Sequence, residues 1–326
     1  MRATCDGLVR QLKSNGYSVS TFSVSSTGNY ALADADWNYK DVPHLNVVHT
    51  QVRALLGTVD DEVITTINLQ KILGMAWPLT LVNYASSDTA QTYFTSLGPF
   101  VLVVHTQYDA LGPNQTKVTT TYNVAATGFM RLAFPFIRRV LTKNYKQLML
   151  EDLPMRDRRG QLRARGFRFN SDGRARTFPE TMNLLVDNVV APERAKVRTE
   201  SVPLEQLARN GTVFVGPDDD RGVRLVKQGE ELLVMPRFCA HEGAGLDCAE
   251  VKNGRLSCPW HGKNILPLAR VALREGAACD FGGSRVAVDA AAIRLTLPSD
   301  ESLPGAVEPR ASAQLAHAQQ GRIETP

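Results

Sequence analysis

The sequence predicts an α+β chain of two domains: an antiparallel sheet closed by one long helix, then a small all-β unit. Three observations carry this. Runs of period two, rich in Thr, Val and Tyr, recur between residues 62 and 124. One long segment, Gly128–Asp152, places Phe, Leu, Ile and Val on a single helical face. A second series of short β-prone runs lies between residues 211 and 297, interrupted by two loops that each carry a Cys and a His. A chain of 326 residues is long enough to bury two cores.

In order, a strand-like segment around Ala33–Lys40 leads into an apolar–polar stretch at Val42–Val48. The alternating runs follow: Glu62–Leu69, Leu79–Tyr84, Thr92–Thr95, Phe100–His105 and Lys117–Val124. They read as an antiparallel meander. The helix Gly128–Asp152 comes next, despite Pro135. In the second domain, Gly211–Gly216, Gly222–Val226, Glu231–Met235, Arg285–Val288 and Ile293–Leu297 are strands separated by turn residues. Domain boundaries are therefore expected at 1–195, 196–298 and a tail, 299–326. The tail lacks periodic apolar positions, contains His317, and is expected to be disordered.

The interrupting loops hold Cys239-Ala-His241 and Cys258-Pro-Trp-His261, with sixteen residues between them. Zinc sites usually pair Cys with Cys and His with His along the chain. One Cys and one His in each loop suit a [2Fe–2S] cluster with two unlike irons, one held by two thiolates and the other by two imidazoles. The stretch resembles the Rieske iron–sulfur family, including the Gly-containing turn after His241 and the Gly262 that follows His261. Ala244 and Trp260 stand where respiratory-chain members carry an additional disulfide. The resemblance is thus to the disulfide-free type of oxygenases and soluble ferredoxins. Lys263 occupies the position of a cluster-bonding Ser in high-potential members, which implies a lower reduction potential. No proline-containing third loop over the cluster is apparent.

A second constellation lies in the first domain: Asp41-Val-Pro-His44-Leu-Asn-Val-Val-His49. Two His and one carboxylate on one face hold iron(II) in non-haem oxygenases and leave positions open for O₂. The stretch resembles the Asp-x-x-His-x-x-x-x-His segment of the Rieske non-haem iron oxygenases, whose catalytic domain has the helix-grip, START-like fold. That resemblance implies His44 and His49 as iron ligands, and Asp41 as a catalytic link toward a cluster His. It implies a third ligand near the end of the long helix: Asp152, with Glu151 and then Asp157 as alternatives. It also implies a [2Fe–2S] cluster held by Cys239, His241, Cys258 and His261, a mononuclear Fe(II), electrons from a ferredoxin or an NAD(P)H-dependent reductase, an apolar small-molecule substrate with O₂, and a homo-oligomer such as a trimer. The domain order is the reverse of the family's usual one.

Other residues have plainer readings. His105 is expected to be a strand histidine lining the cavity. Met130, Phe134, Phe136, Trp77 and Tyr84 are candidate pocket or core residues. Arg156–Arg176, with eight Arg, reads as a solvated linker, or else as a docking face for an acidic ferredoxin.

Composition of 43% hydrophobic and 21% charged residues is that of ordinary globular protein, and a net charge of +4 makes no case for nucleic acid. No apolar run reaches the length of a membrane span, and the start lacks a signal-peptide core, so a cytoplasmic protein is expected. The leading function is a Rieske-type oxygenase that hydroxylates an apolar small molecule. Its rivals are an electron-transfer Rieske domain fused to a non-catalytic ligand-binding helix-grip module, and a structural zinc protein.

Overall fold

A computed structural model describes residues 4–60, 63–72, 74–170, 186–194, 196–299 and 323–324. The chain divides into two compact units. Met1–Arg165 forms the body of the first; Asp187–His317, with Gly166–Phe169, forms the second, which begins ahead of the boundary expected at 195/196.

In the first unit a helix, α1 (Cys5–Ser14), precedes strand β1 (Ser18–Gly28), helix α2 (Leu32–Lys40) and a short 3₁₀ turn, Val42–Asn46. Six strands follow: β2 (Val52–Asp60), β3 (Val63–Ile72), β4 (Met75–Ser87), β5 (Ala90–Leu97), β6 (Phe100–Gly112) and β7 (Gln115–Ala126). A 3₁₀ turn, Gly128–Ala133, leads into the long helix α3 (Phe134–Ala164). The strands pair antiparallel in the order β2-β3-β4-β5-β6-β7-β1. Alternation sets the inner face: Phe22 and Val24, Leu102 and Val104, and Tyr122 and Val124 point to one core. Ile137, Tyr145, Met149 and Leu153 of α3 join that core at helical spacing. This is the helix-grip arrangement expected from the sequence, with every alternating run realised as a strand.

Three expectations need correction. Ala33–Lys40 is not a strand but most of α2. Its Ala/Asp alternation mimics period two, yet Ala favours helix and the Asp34 carboxylate accepts from the Ala31 N–H at the helix start. The long helix starts at Phe134, so Pro135 occupies a first-turn position where its missing N–H costs nothing, and it continues twelve residues beyond Asp152 to Ala164. Within the stretch read as a solvated linker, Arg156, Arg158 and Arg159 are instead buried in α3, while Arg163 and Arg165 are half-buried and Arg168 is exposed. Residues 171–176 of that stretch lie outside the described residues. So do 300–322 and 325–326 of the tail, including His317, while Ile323–Glu324 is a short strand paired with Ser25–Ser26.

Among the described residues the second unit consists of strands and loops with one helix, Leu204–Asn210. Its sheets have the strand orders Lys196–Pro203, Ala292–Ser299, Ser284–Val288, Ala278–Phe281 and Thr212–Val215, Val223–Gln228, Glu231–Pro236, Ala269–Ala272. Their core contains Leu225, Leu232, Val234, Val286, Ile293 and Leu295.

The far half of α3 is locked to the β1–α2 turn. The Asn29 N–H donates to Asp157 Oδ1 at 2.8 Å, and Asn114 bridges the carbonyls of Asn29 and Gly160 at 3.3 and 3.1 Å. A Cβ at Gly160 would stand 2.1 Å from the Asn29 carbonyl oxygen, backbone that cannot yield cheaply. Gly160→Ala is therefore expected to destabilise the protein by about 1–3 kcal/mol, the usual cost of overpacking. Urea denaturation checks it; an unchanged midpoint would count against this close approach.

Candidate metal centres

The first site is built from three places in the first unit. The 3₁₀ turn after α2, started by Pro43, carries His44. The loop before β2 carries His49, and the core-facing stripe of α3 carries Asp152. All three are buried, Asp152 to 6% exposure. His44 Nε2 and His49 Nε2 are 3.0 Å apart, and Asp152 Oδ1 lies 3.4 and 3.2 Å from them. These three are the His/Cys/Asp/Glu group among the described residues whose donor atoms converge as metal ligands do.

Each imidazole is oriented from behind. The His44 Nδ1–H donates to the Asp41 carbonyl, and the Asp41 carboxylate lies 3.6 Å from the same nitrogen. The His49 Nδ1–H donates to Glu151 Oε2 at 2.7 Å. Donation from both Nδ1 atoms leaves both Nε2 lone pairs facing the centre. Glu151 is itself held by Thr50 Oγ1 at 2.7 Å and Gln147 Nε2 at 2.9 Å. Burial raises its pKa, but the bonds from His49, Gln147 and Thr50 outweigh this and leave it below the usual carboxylate range.

Asp152 is held from its other side. Arg156 Nη2 lies 3.5 Å from Asp152 Oδ2, and Arg156 also grips Asn38 Oδ1 through Nε and Nη2 at 2.9 and 2.6 Å. Asn38 then turns its Nδ2 toward Asp152 Oδ1 at 3.5 Å. Burial alone would raise the Asp152 carboxyl and lower His44. Bonds to Asp152 and Asp41 outweigh burial at His44, which is raised to about 10, and bonds from His44 and His49 with the Arg156 charge hold Asp152 far below the carboxylate range. Two lone pairs and a carboxylate oxygen at this spacing need a positive charge among them, either a proton or a metal ion.

The donor set fits a metal. Bonds of about 2.1 Å set at right angles put donors about 3.0 Å apart, and tetrahedral angles put them about 3.4 Å apart. The observed 3.0, 3.2 and 3.4 Å span that range. Two His and one carboxylate beside an opening are the iron(II) donor set. The triad borders a cavity of about 240 Å³ whose lining includes Val42, Ile64, Leu102, Leu141 and Leu148.

Of the three acids considered from the sequence, Asp152 therefore joins the histidines, Glu151 backs His49, and Asp157 serves the Asn29 turn. His105 does not line the cavity. It lies on the opposite face of β6, on the side of α1, with Nδ1 3.0 Å from Thr92 Oγ1, and its pKa is lowered by burial despite nearby Asp6. Met130, Phe134, Phe136, Trp77 and Tyr84 are absent from the lining too; Phe136 and Trp77 are exposed. Sequence reasoning missed Asn38 and Arg156. Their one signal is position, six residues before His44 and one helical turn after Asp152.

The second site is in the second unit. Cys239, His241, Cys258 and His261 are all buried. Their two loops share one conformation. The Cys239 N–H donates to the Ala244 carbonyl and the Gly243 N–H to the Cys239 carbonyl; Cys258, Lys263 and Gly262 repeat both bonds, all at 2.8–2.9 Å. Gly243 and Gly262 have φ of 91° and 68°, which a side chain would strain. The loops bring like donors together. Cys258 is held below the ordinary thiol range, first by the Cys239 S–H, while Cys239 is raised. The His241 and His261 rings lie 4.9 Å apart at 80°. Paired sulfurs beside paired imidazoles match the ligands of a cluster with two unlike irons.

A third segment does reach these loops; it lies at the start of the second unit, ahead of residue 196. The Asn188 and Val189 N–H groups donate to the His241 and Ala240 carbonyls at 3.0 Å. Asn188 Nδ2 donates to Glu242 at 2.8 Å, and Lys263 Nζ pairs with Asp187 at 2.7 Å. Pro192 follows two residues after Val190. None of the five cysteines forms a disulfide. No helix among the described residues is long and apolar enough to cross a membrane.

A search of curated proteins returns no match to the chain. Among solved structures, it is similar to the Zhui aromatase/cyclase from Streptomyces sp. R1128 (12% identity, 44% of this chain and 96% of that one, TM-score 0.37). It is similar to a START superfamily protein from Mycobacterium smegmatis (12%, 39% and 91%, TM-score 0.32). It is also similar to dicamba monooxygenase bound to 3,6-dichlorosalicylic acid (14%, 45% and 52%, TM-score 0.34). The family described as Rieske [2Fe-2S] domain matches residues 198–277, which contain both ligand loops. Residues 198–277 of this chain are accordingly a Rieske [2Fe–2S] domain, in a protein that also carries an α+β unit of helix-grip architecture.

Proposed function

We propose that the protein is a Rieske-type non-haem iron oxygenase acting on a small molecule held in the cavity of the first unit. The observation that carries this is the convergence of His44, His49 and Asp152 on one point beside that cavity, in a chain that also has a Rieske domain. Cys239, His241, Cys258 and His261 would hold a [2Fe–2S] cluster, which would supply one-electron transfer from a ferredoxin or reductase. His44, His49 and Asp152 would hold an iron(II), which would supply O₂ activation and oxygen insertion.

The chain's own residues prepare that chemistry. Asp41 and Glu151 fix the two imidazoles as Nε2 donors. Arg156 holds the outer oxygen of the Asp152 carboxylate, and Asn38, held by Arg156, faces the oxygen that meets the histidines. Leu, Ile and Val side chains keep the opening apolar and limit water at the centre. The role that the resemblance gives Asp41, passing electrons toward the iron, belongs to this proposal.

Metal content tests the ligands. The purified protein is expected to hold one iron beyond the two of the cluster, and His44→Ala is expected to lose that one while the cluster spectrum stays intact. Retention of the extra iron in His44→Ala would sink the assignment. Glu151→Gln should weaken iron binding by about 10–100-fold through the loosened His49 ring. For Asp41→Asn, iron stays bound while single-turnover oxidation of the reduced cluster slows sharply. An unchanged rate removes the electron-passing role.

The pH dependence follows from His44. Its folded pKa, about 10, lies above the ordinary 6.5, so in the metal-free protein its proton stabilises the fold below pH 6.5 and that contribution fades toward pH 10. Metal must displace that proton. Iron affinity for the metal-free site should therefore rise with pH between 6.5 and 10, by up to about tenfold per unit, with proton release on binding. Calorimetry in buffers of different ionisation enthalpy measures the released proton; none released means His44 is neutral beforehand. Substrate-dependent O₂ uptake with a surrogate reductant separates an oxygenase from an electron carrier fused to a binding module.

A further inference from the structure

Beyond the triad, the polar lining of the cavity includes residues on three neighbouring strands, Asn68 on β3, Asn83 on β4 and Thr95 on β5. Asn68 and Thr95 are 6% and 8% exposed. Asn68 Oδ1, Asn83 Oδ1 and Thr95 Oγ1 are buried, and no protein group among the described residues reaches them. An acceptor unpaired in an apolar setting is destabilising, so a ligand that brings a donor is favoured there.

The orientation of Asn83 is dictated from outside the cavity. Asp36 is ion-paired with Lys40 Nζ at 2.8 Å, and a carboxylate in such a pair only accepts. Gln91 must then present Nε2 to Asp36, 3.1 Å away, and its Oε1 must face Asn83. That oxygen in turn requires Nδ2 of Asn83, which donates to it at 3.0 Å. The amide oxygen is what remains, so this chain of bonds excludes the flipped amide and presents an acceptor to the cavity.

We propose that the cavity selects a largely apolar molecule bearing an N–H or O–H donor, received by Asn83 Oδ1, with Asn68 and Thr95 beside it as further polar contacts. This narrows the apolar substrate expected from the sequence to one with a donor, and it rests on the cavity being the substrate site. A site built to bond one polar group rejects the same skeleton without it far more strongly than it rejects a change of size.

Three probes of one shape test this by titration calorimetry on the full-length, metal-loaded protein. Indole carries an N–H, benzofuran an acceptor oxygen, and indene neither. Indole is expected to bind at least about tenfold more tightly than the other two. In Asn83→Leu, which removes the acceptor at similar volume, indole is expected to lose about that factor and the three to converge. Equal or undetectable binding of all three by the unaltered protein, or a preference for indole that survives Asn83→Leu, overturns the proposal. Asn83→Ala, read in the same way, covers poor folding of the leucine variant, and the comparison in the unaltered protein decides without any variant. These are binding measurements without turnover. Absent O₂ uptake would remove the oxygenase reading and leave the donor preference standing, whereas turnover without donor preference would remove only the latter.

Discussion

The first unit is organised around one buried carboxylate. Asp152 sits on the stripe of α3 where Tyr145, Met149 and Leu153 make the core. A charge there is costly unless several partners share it. His44 and His49 meet one oxygen, Arg156 meets the other, and Asn38 joins the two partners. The surrounding elements can be understood as the means of delivering these groups. The 3₁₀ turn brings one imidazole and the loop before β2 the other. The next helical turn of α3 supplies Arg156, and α2 supplies Asn38.

The second unit solves a different problem by repetition. Its ligands lie on two loops with the same pair of backbone bonds and a left-handed glycine at the same offset from each Cys. Sharing a conformation while placing His at the second position after one Cys and the third after the other gathers sulfur with sulfur and ring with ring. The segment Asp187–Val190 adds backbone bonds to the first loop and an ion pair to the second. These bonds order the loops through the peptide backbone, so no disulfide is needed, and Ala244 and Trp260 can be ordinary buried residues.

What was legible in the sequence follows the same physics. The β3–β7 runs are visible because one face is apolar and the other polar, which imposes period two. The ligand loops are visible because their chemistry needs named residues at short spacing. Helix α2 was not legible, because its buried residues include Asp34, Asp36, Asn38 and Lys40, and apolar periodicity does not report a helix that buries charge. Buried Arg156 and Arg159 hide for the same reason, in a stretch whose composition reads as solvated. Asp152 could be ranked above Glu151 and Asp157 only by resemblance, since which of three nearby acids faces inward depends on the rotation of α3. The lining of the cavity was missed because it is gathered from several strands, α2, the 3₁₀ turn and α3, and no single run of sequence marks which of their side chains face one space.

The polar residues of α2 thus act on both sides of one chamber. Asp34 takes Arg159 and Arg163, fixing the helix against α3. Asn38 and Arg156 set the Asp152 carboxylate at the metal end. Asp36, held by Lys40, acts through Gln91 on Asn83 at the ligand end. In the proposed function, a helix carrying both contacts ties the position of a bound donor to that of the His44, His49 and Asp152 triad. Such coupling has a structural requirement: the partners of α2 must be too buried to exchange with water. The nine-residue helix carries four buried polar side chains: Lys40 pairs with Asp36 within it, Asp34 takes Arg159 and Arg163, and Asn38 takes Arg156, all three arginines coming from α3.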